Sequence, residues 1–346
     1  MRKFLSAVVL LFALAIPANA SEISAPPVPQ SGQIIMPENT ESFGSALFQL
    51  IRNSVDRILP DLTETVRICI QLLVTSLLCS LLSLLPNRSG RAASVGSVVI
   101  VFLQLVRNTD TLIRLASDTV REICEYGKLL CPVMTAALSA QGAITSSSAL
   151  YMGTTVFSAL LGAFISRVFI PMVYAFLAFT AANSALGEDY LKKLADSIKN
   201  TVSWFLKTLM VIFTTYMSVT GVVTGTTDAA ALKAAKVTFS SVVPVVGGIL
   251  SDASEAVLVS MGLVKNATGI YGILASVAVF IGPFMKVGLQ YLGLKASALL
   301  CSIFATKNIA SLINDLAAAL GLLLAMLASA CTMVLISTVC FLKGAS

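Results

Sequence analysis

Long apolar runs and amphipathic segments alternate along most of the chain. Charge-free runs of roughly membrane-spanning length occupy residues 68–85, 208–224 and 316–342. Apolar residues recur at helical spacing, opposite charged ones, in residues 43–66, 107–128 and 188–207. The pattern predicts an all-α, polytopic membrane protein whose amphipathic helices lie in the membrane interface. We expect six to nine spans within a single helical domain over residues 43–346.

Two apolar stretches are interrupted by proline, glycine and polar residues. The first, residues 129–166, contains Pro132, Gln141 and Gly142, and the second reads "SSVVPVVGGILSDASEAV" from Ser240 to Val257. Proline removes a backbone donor and glycine weakens a helix. Broken backbone at membrane depth is tolerated only against protein or a water-filled cavity. We therefore predict a Pro/Gly-broken hairpin in each stretch, which either crosses the membrane or re-enters it.

The polar end of the second hairpin has two interpretations. Ser251 or Asp252 can cap the following helix, with Glu255 completing a capping box. Alternatively, the two carboxylates line a conduit or bind a partner. The candidate conduit residues of both hairpins are Pro132, Gln141, Gly142, Pro244, Gly247, Gly248, Ser251, Asp252 and Glu255.

The amphipathic segment 107–128 carries arginines seven residues apart, at Arg107, Arg114 and Arg121, interleaved with acidic residues. The simpler interpretation is a solvated helix face with intrahelical ion pairs. The alternative is a face that docks a partner protein.

A weak internal repeat links the two hairpins at an offset of 112 residues. Pro132 and Pro171 are matched by Pro244 and Pro283. The repeat units would be residues 107–186 and 226–298, although two proline matches can arise by chance. Such a duplication matters because transport proteins are often built from repeats whose broken helices meet at the membrane midplane.

Three cations lie within or between apolar runs, at Arg167, Lys286 and Lys295. All three are near predicted span ends, so we expect them to snorkel to lipid headgroups. Trp204 is predicted to mark the membrane interface. Asn314 and Asp315 are expected to cap the last long helix.

Composition supports the membrane assignment and limits the kinds of function that the chain can have. Of 346 residues, 57% are hydrophobic and 12% charged, against about 25% charged in soluble domains. The absence of histidine from the sequence removes the commonest general base and metal ligand. No catalytic or nucleotide-binding motif is found. We therefore expect no enzyme activity, no cofactor, no metal and no nucleic-acid partner; the net charge of +6 is ascribed to membrane-flanking Lys and Arg.

The N-terminal region has the pattern of a secretory signal. Arg2 and Lys3 precede a short apolar run, and Ala18-Asn19-Ala20 forms a cleavage site, which predicts removal of residues 1–20. Residues 21–42 are rich in Pro, Ser and Glu and are predicted to form a disordered external linker.

The chain resembles the stage III sporulation protein AE family of endospore-forming Firmicutes. The most specific likeness is "AAKVTFSSVVPVVGGILSDASEAVLVSMGLVKNATGIYG", Ala234 to Gly272, with "GKLLCPVMTAAL" at Gly127 to Leu138 as a second point of agreement. The order of signal, amphipathic helix, spans and long apolar C-terminal helix also agrees.

The resemblance implies a role in the membrane complex that joins mother cell and forespore. The expected location is the mother-cell membrane surrounding the forespore. The expected partners are membrane lipid, the ring-forming and ATPase proteins encoded by the same sporulation operon, indirectly stage II sporulation protein Q, and further copies of the chain. The implied function is a multi-spanning component that forms or gates a pore. The alternatives are a stand-alone ion-coupled transporter and a purely structural anchor for the rings.

Overall fold

The structure is a computed structural model that describes residues 25–36, 43–83, 90–242 and 247–344. Within these ranges, residues 82–83, 90–94, 221–242, 247–261 and 264 are described by their backbone alone.

All regular secondary structure in the described part of the chain is helical, which confirms the predicted all-α class. The helices are α1 (Gln30–Gln33), α2 (Phe43–Ser83), α3 (Gly90–Ala140), α4 (Ile144–Phe164), α5 (Ile170–Leu186), α6 (Asp189–Val242), α7 (Gly247–Phe304) and α8 (Lys307–Lys343). A π-helical segment, Ile165–Phe169, joins α4 to α5.

Five helical stretches among the described residues are long and apolar enough to cross a membrane. They are Phe43–Leu81, Ile144–Leu186, Asp189–Thr220, Lys265–Phe304 and Lys307–Lys343. This confirms a polytopic membrane protein. The predicted count of six to nine spans draws on segments outside the described residues and stays a prediction.

Helix α8 forms the centre of the bundle. Its sequence carries no charge between Asp315 and Lys343, and a helix that is apolar all round lies in a protein core or spans a membrane. Leu316, Leu320 and Leu327 are accordingly inaccessible to solvent. Helices α3, α4, α5, α6 and α7 all pack around it.

The direction of the packed helices follows from their contacts. Thr154 of α4 donates a hydrogen bond to Ser337 of α8 at 3.0 Å, and Ser158, one turn later, points to Met333, one turn earlier. Helix α4 is therefore antiparallel to α8. Helices α3 and α4 form an antiparallel hairpin, and α5 continues along α3 as far as Asp110, which accepts a hydrogen bond from Tyr174.

The π-helical segment lies directly before Pro171. Pro171 stands at the start of α5 and lacks an N–H group, so the usual bond to the carbonyl of Arg167 is lost. The Ile170 N–H instead bonds to the carbonyl of Ile165, five residues back. Such single-turn π segments are frequent at functional sites.

Part of the segment predicted as a disordered linker has a defined position. Val28 and Ile35 are buried, and Gly32 lies so close to Val279 of α7 that a Cβ would come within 3.0 Å of its Cγ2. The physical reason is that this part of the linker includes apolar side chains that bury surface against α7. The predicted signal peptide, and residues 21–24 and 37–42 of the linker, lie outside the described residues.

Two local predictions differ from the structure. The predicted interfacial helix 43–66 and the following span form the single helix α2, because no turn signal separates them. Asn314 and Asp315 do not cap the last helix, since α8 begins at Lys307 after Thr306. Asn314 instead accepts a hydrogen bond from Lys295 at 2.8 Å.

Candidate functional site between α2, α3 and α7

An ion pair connects α2 to α7. The Nζ atom of Lys286 donates a hydrogen bond of 2.8 Å to Oδ1 of Asp61. The side chains of Lys286 and Asp61 are 40% and 26% exposed, so the pair is partly withdrawn from solvent. Ionisable groups in membrane helices are costly and usually functional. This pair is therefore the first candidate for a functional element.

Polar side chains from three helices complete the site. Glu64 and Thr65 of α2, Asn108 of α3, and Gln290 of α7 line a small cavity together with Asp61 and Lys286. Its volume of about 10 Å³ approaches the space that one water molecule needs. We call these six residues the polar layer.

Gln290 gives the polar layer an unsatisfied donor. The residue is 4% exposed, and its Nε2 has no hydrogen-bond partner among the described residues. A buried amide without a partner costs free energy. A water molecule in the adjacent cavity would remove that cost. The layer is therefore suited to hold a water molecule between these three helices.

Prolines stand beside both charges of the pair. Pro60 immediately precedes Asp61 inside α2, and Pro283 lies three residues before Lys286 inside α7. Each proline removes one intrahelical hydrogen bond, and helices bend most readily at such positions. The ion pair therefore joins two helices close to their weakest points.

Tight packing holds α2 against α7 one to two turns beyond the ion pair. A Cβ atom on Gly293 would lie 2.9 Å from both Thr65 Cγ2 and Cys69 Sγ. Only glycine allows this approach. The two helices are thus fixed on one side of the polar layer.

The structure changes the interpretation of the three cations predicted to snorkel. Lys286 pairs with Asp61, and Lys295 donates to Asn314 while lying 5.9 Å from the ring centre of Tyr291. Arg167 is exposed and has no ion-pair partner among the described residues.

The first predicted hairpin is present, with its turn later than proline suggested. Pro132 lies inside α3, which ends only at Ala140. Gln141 and Gly142 form the turn, and Gly142 adopts a φ of 90° that favours glycine. Proline alone did not end the helix because packing against α8 and α7 maintains it. The conduit role of these residues stays a prediction.

The turn of the first hairpin meets the helix that follows the second. The Nε2 atom of Gln141 lies within 2.7 Å of the position that a Cβ on Gly262 would occupy. The Oε1 atom of Gln141 is buried without a partner among the described residues. Two regions singled out independently from the sequence are therefore neighbours.

Most side chains of the second predicted hairpin lie outside the described residues. Pro244 lies outside the described residues, and α7 begins at Gly247 with Gly248 as its second residue. Ser251 and Asp252 consequently lie after the first turn of α7 rather than at its N-cap. The structure does not describe the side chains of Ser251, Asp252 and Glu255.

The arginines of α3 form the predicted intrahelical pairs at two positions. Arg114 binds Asp110 at 2.9 Å and Arg121 binds Asp118 at 3.2 Å, while Arg107 is exposed. The hydrogen bond from Tyr174, followed by that from Arg114, lowers the pKa of Asp110 below its usual value. The docking interpretation of this face stays a prediction.

Cysteine chemistry is suppressed by burial on α3. Burial raises the pKa of the Cys124 thiol to about 11. Among the described residues, no group of three or more His, Cys, Asp or Glu side chains is placed to hold a metal ion.

Sequence reasoning singled out Lys286 but missed Asp61 and Gln290. The signals were present: a lysine within an apolar run needs a partner, and an acidic residue directly after a proline marks a special place on an amphipathic helix. Their separation of 225 residues made the pairing invisible without the fold.

Comparison with known proteins identifies the family. Residues 34–344 match the model of the stage III sporulation protein AE family. The chain belongs to the stage III sporulation protein AE family. A curated relative, stage III sporulation protein AE of Bacillus subtilis (strain 168), is 25% identical over 223 residues, which cover 62% of this chain and 55% of the relative.

The matched region thus spans little more than half the length of that sporulation protein. No solved structure matches the chain.

Proposed function

We propose that this chain is the multi-spanning membrane component of the sporulation complex that links mother cell and forespore, and that it forms or gates the complex's membrane pore. Its place would be the mother-cell membrane surrounding the forespore. In this proposal the chain is not an enzyme. A separate ATPase supplies the energy, and ring-forming proteins supply the length of the conduit. Membership of the family supports the role in sporulation.

The polar layer is the observation that supports gating. It is a partly enclosed ion pair with an unsatisfied amide and room for about one water molecule. In an apolar bundle, such a layer is the place where water or a small polar solute can enter when helices move. In this proposal, the contact between Asp61 and Lys286 keeps the polar layer closed.

The prolines beside the pair supply the second part of the argument. Bending of α2 at Pro60 or of α7 at Pro283 would separate the two charges. The packing of Gly293 against Thr65 and Cys69 would keep the helices together one to two turns away. The expected motion is therefore a local opening rather than separation of the helices.

Neutralising the pair tests this proposal in a spore-forming host. The variants Asp61→Asn and Lys286→Met, and the charge-reversed double variant Asp61→Lys/Lys286→Asp, replace the natural chain. Two quantities are measured separately: assembly of the complex, by co-purification of its ring-forming proteins, and late forespore gene expression, with a reporter.

For a gate, we expect intact assembly with altered forespore expression in both single variants, and recovery in the reversed pair. Lys193→Met, at an exposed lysine on α6, is the matched control and should behave as the natural chain. Loss of assembly together with expression would instead support an anchor for the rings. Wild-type behaviour of both single variants would refute gating by this pair.

A further inference from the structure

A charged groove opens on the outer side of the α3–α4 hairpin. It has a volume of about 300 Å³, and its lining includes Asp118, Arg121 and Glu125 of α3 and Arg167 of the π segment. Lys128 of α3 also lines it. This size is at the lower end of the range for small-molecule sites. The polar layer between α2, α3 and α7 shares no residue with this groove.

The cations of the groove are incompletely neutralised by the protein. Asp118 is engaged by Arg121 at 3.2 Å. Neither Lys128 nor Arg167 has an ion-pair partner among the described residues. Three cations and two carboxylates leave a positive excess, and a guanidinium beside an ammonium favours a phosphate group.

The position of Arg167 is the most informative feature. It is the only charged residue in the otherwise apolar stretch Ile144–Leu186, and it is exposed. Because Pro171 cancels the bond to its carbonyl, Arg167 also lies where the helix is widened into a π turn. A lone, exposed arginine in an apolar helix calls for an anionic partner from outside the chain.

One side of the groove continues into an apolar surface. Residues 129–166 and 208–220 contain no charge, and their exposed side chains include Leu129, Met152, Val156, Leu160, Val211 and Ile212. From Ile144 to Leu160, helix α4 rises about 25 Å, close to the thickness of the hydrocarbon core of a bilayer. This surface is therefore suited to face lipid chains.

An exposed tryptophan places the groove at the height of the headgroups. Trp204 is 65% exposed, and its neighbour Phe205 packs on Phe164, which precedes the π segment, and on Phe169, which ends it. Trp204 and Arg167 consequently stand at the same height along the bundle. Tryptophan concentrates where hydrocarbon meets headgroups.

We infer that the groove binds the headgroup phosphate of an anionic phospholipid. The phosphate lies among Arg121, Lys128 and Arg167, and the acyl chains run along the apolar surface toward the turn at Gln141 and Gly142. The arginines of α3 thereby divide in role, because Arg121 faces the groove whereas Arg107 and Arg114 do not line it.

Native mass spectrometry of the full-length protein in detergent tests the inference. The probes are dioleoyl phosphatidylglycerol and dioleoyl phosphatidylcholine, each titrated alone. We expect tighter binding of phosphatidylglycerol and about tenfold weaker binding of it by Lys128→Gln/Arg167→Gln, since two charge-assisted contacts are lost. The variant's binding of phosphatidylcholine should fall less, since choline already balances the charge of that lipid's phosphate.

The variant Arg107→Gln/Lys193→Gln is the matched control, since it removes one arginine and one lysine at exposed positions outside the groove. It should bind phosphatidylglycerol like the natural chain. Equal binding of the two lipids, or an equal loss in this control, would overturn the assignment. Displacement of phosphatidylglycerol by excess inorganic phosphate would overturn the assignment of a lipid ligand and identify free phosphate as the ligand.

Discussion

Lys286 donates a hydrogen bond of 2.8 Å to Asp61, which lies 225 residues earlier in the chain. The contact joins two helices that each contain a proline close to the charged residue. Its side chains are neither fully exposed nor fully buried. The pair should therefore contribute more than a surface ion pair and less than a buried one.

The stability of the pair can be measured with a double-mutant cycle. Asp61→Asn and Lys286→Gln should each lower the free energy of unfolding by about 1–2 kcal/mol, since each leaves the other charge without its partner. The double variant should lose less than the sum of the two. Thermal unfolding in detergent provides the measurement, and strictly additive losses would show that the two side chains do not interact.

Close packing of α4 on α6 depends on the absence of a side chain at Gly153. A Cβ there would lie 2.1 Å from Cε1 of Tyr216, whose hydroxyl donates to the Ala149 carbonyl at 3.0 Å. Gly153→Ala should therefore lower the free energy of unfolding by about 1–3 kcal/mol, because the tyrosine must move.

Gly96→Ala is the control for this prediction. Its Cβ would meet nothing within 4 Å, and alanine is the better helix former, so stability should hold or rise by up to about 1 kcal/mol. Equal destabilisation by both substitutions would mean that the contact with Tyr216 is not the cause.

The hydrogen bond from Tyr174 to Asp110 predicts a dependence on pH. The pKa of Asp110 is lowered, chiefly by Tyr174 and next by Arg114. A depressed folded-state pKa stabilises the fold above the unfolded value of about 3.9, and this contribution disappears as pH falls through the folded pKa.

Tyr174→Phe should raise the pKa of Asp110, as followed by carboxyl-carbon NMR of the labelled protein. Arg114→Gln should also raise it, since the guanidinium contributes a hydrogen bond and its charge. The stability difference between the natural chain and Tyr174→Phe should shrink on acidification below pH about 4. An unchanged pKa in Tyr174→Phe would rule out the hydrogen bond as its main cause.

Cys124 should be unreactive although it borders the charged groove. Its pKa of about 11 leaves few thiolates at neutral pH. Peptide mapping after maleimide treatment of the native protein should find Cys124 unmodified until the protein is unfolded. In Ser166→Cys, the new thiol on the exposed side of the same groove should be modified; equal labelling of Cys124 would contradict its burial.

The helical class could be predicted from the sequence because its signals are local. Apolar run length and helical spacing located α8 and much of α2 and α6, and the chain's low charge excluded a soluble domain. The α3–α4 hairpin was also within reach, since Gly142 is required at the turn. Which of Pro132, Gln141 and Gly142 ends the helix could not be predicted, because long-range packing maintains the helix through Pro132.

Only part of the candidate site could be predicted from the sequence. A charge in an apolar run is conspicuous, which is why Lys286 and Arg167 stood out, but the identity of a partner depends on which helices pack together. Asp61 lies on an amphipathic helix among other charges, and the proline before it does not show which residue it pairs with. Asn314 was mistaken for a cap because its partner, Lys295, lies on a different helix.

The pairing of α2 with α7 has a consequence for synthesis of the protein. Besides the ion pair, Ser80 of α2 donates to the carbonyl of Phe304, 224 residues later. Helix α2 emerges early from the ribosome, yet its permanent neighbour is completed only when most of the chain has been made. Until then, the acidic side chain of Asp61 must be accommodated by lipid, water or the insertion machinery, so α2 finds one of its neighbours only late in synthesis.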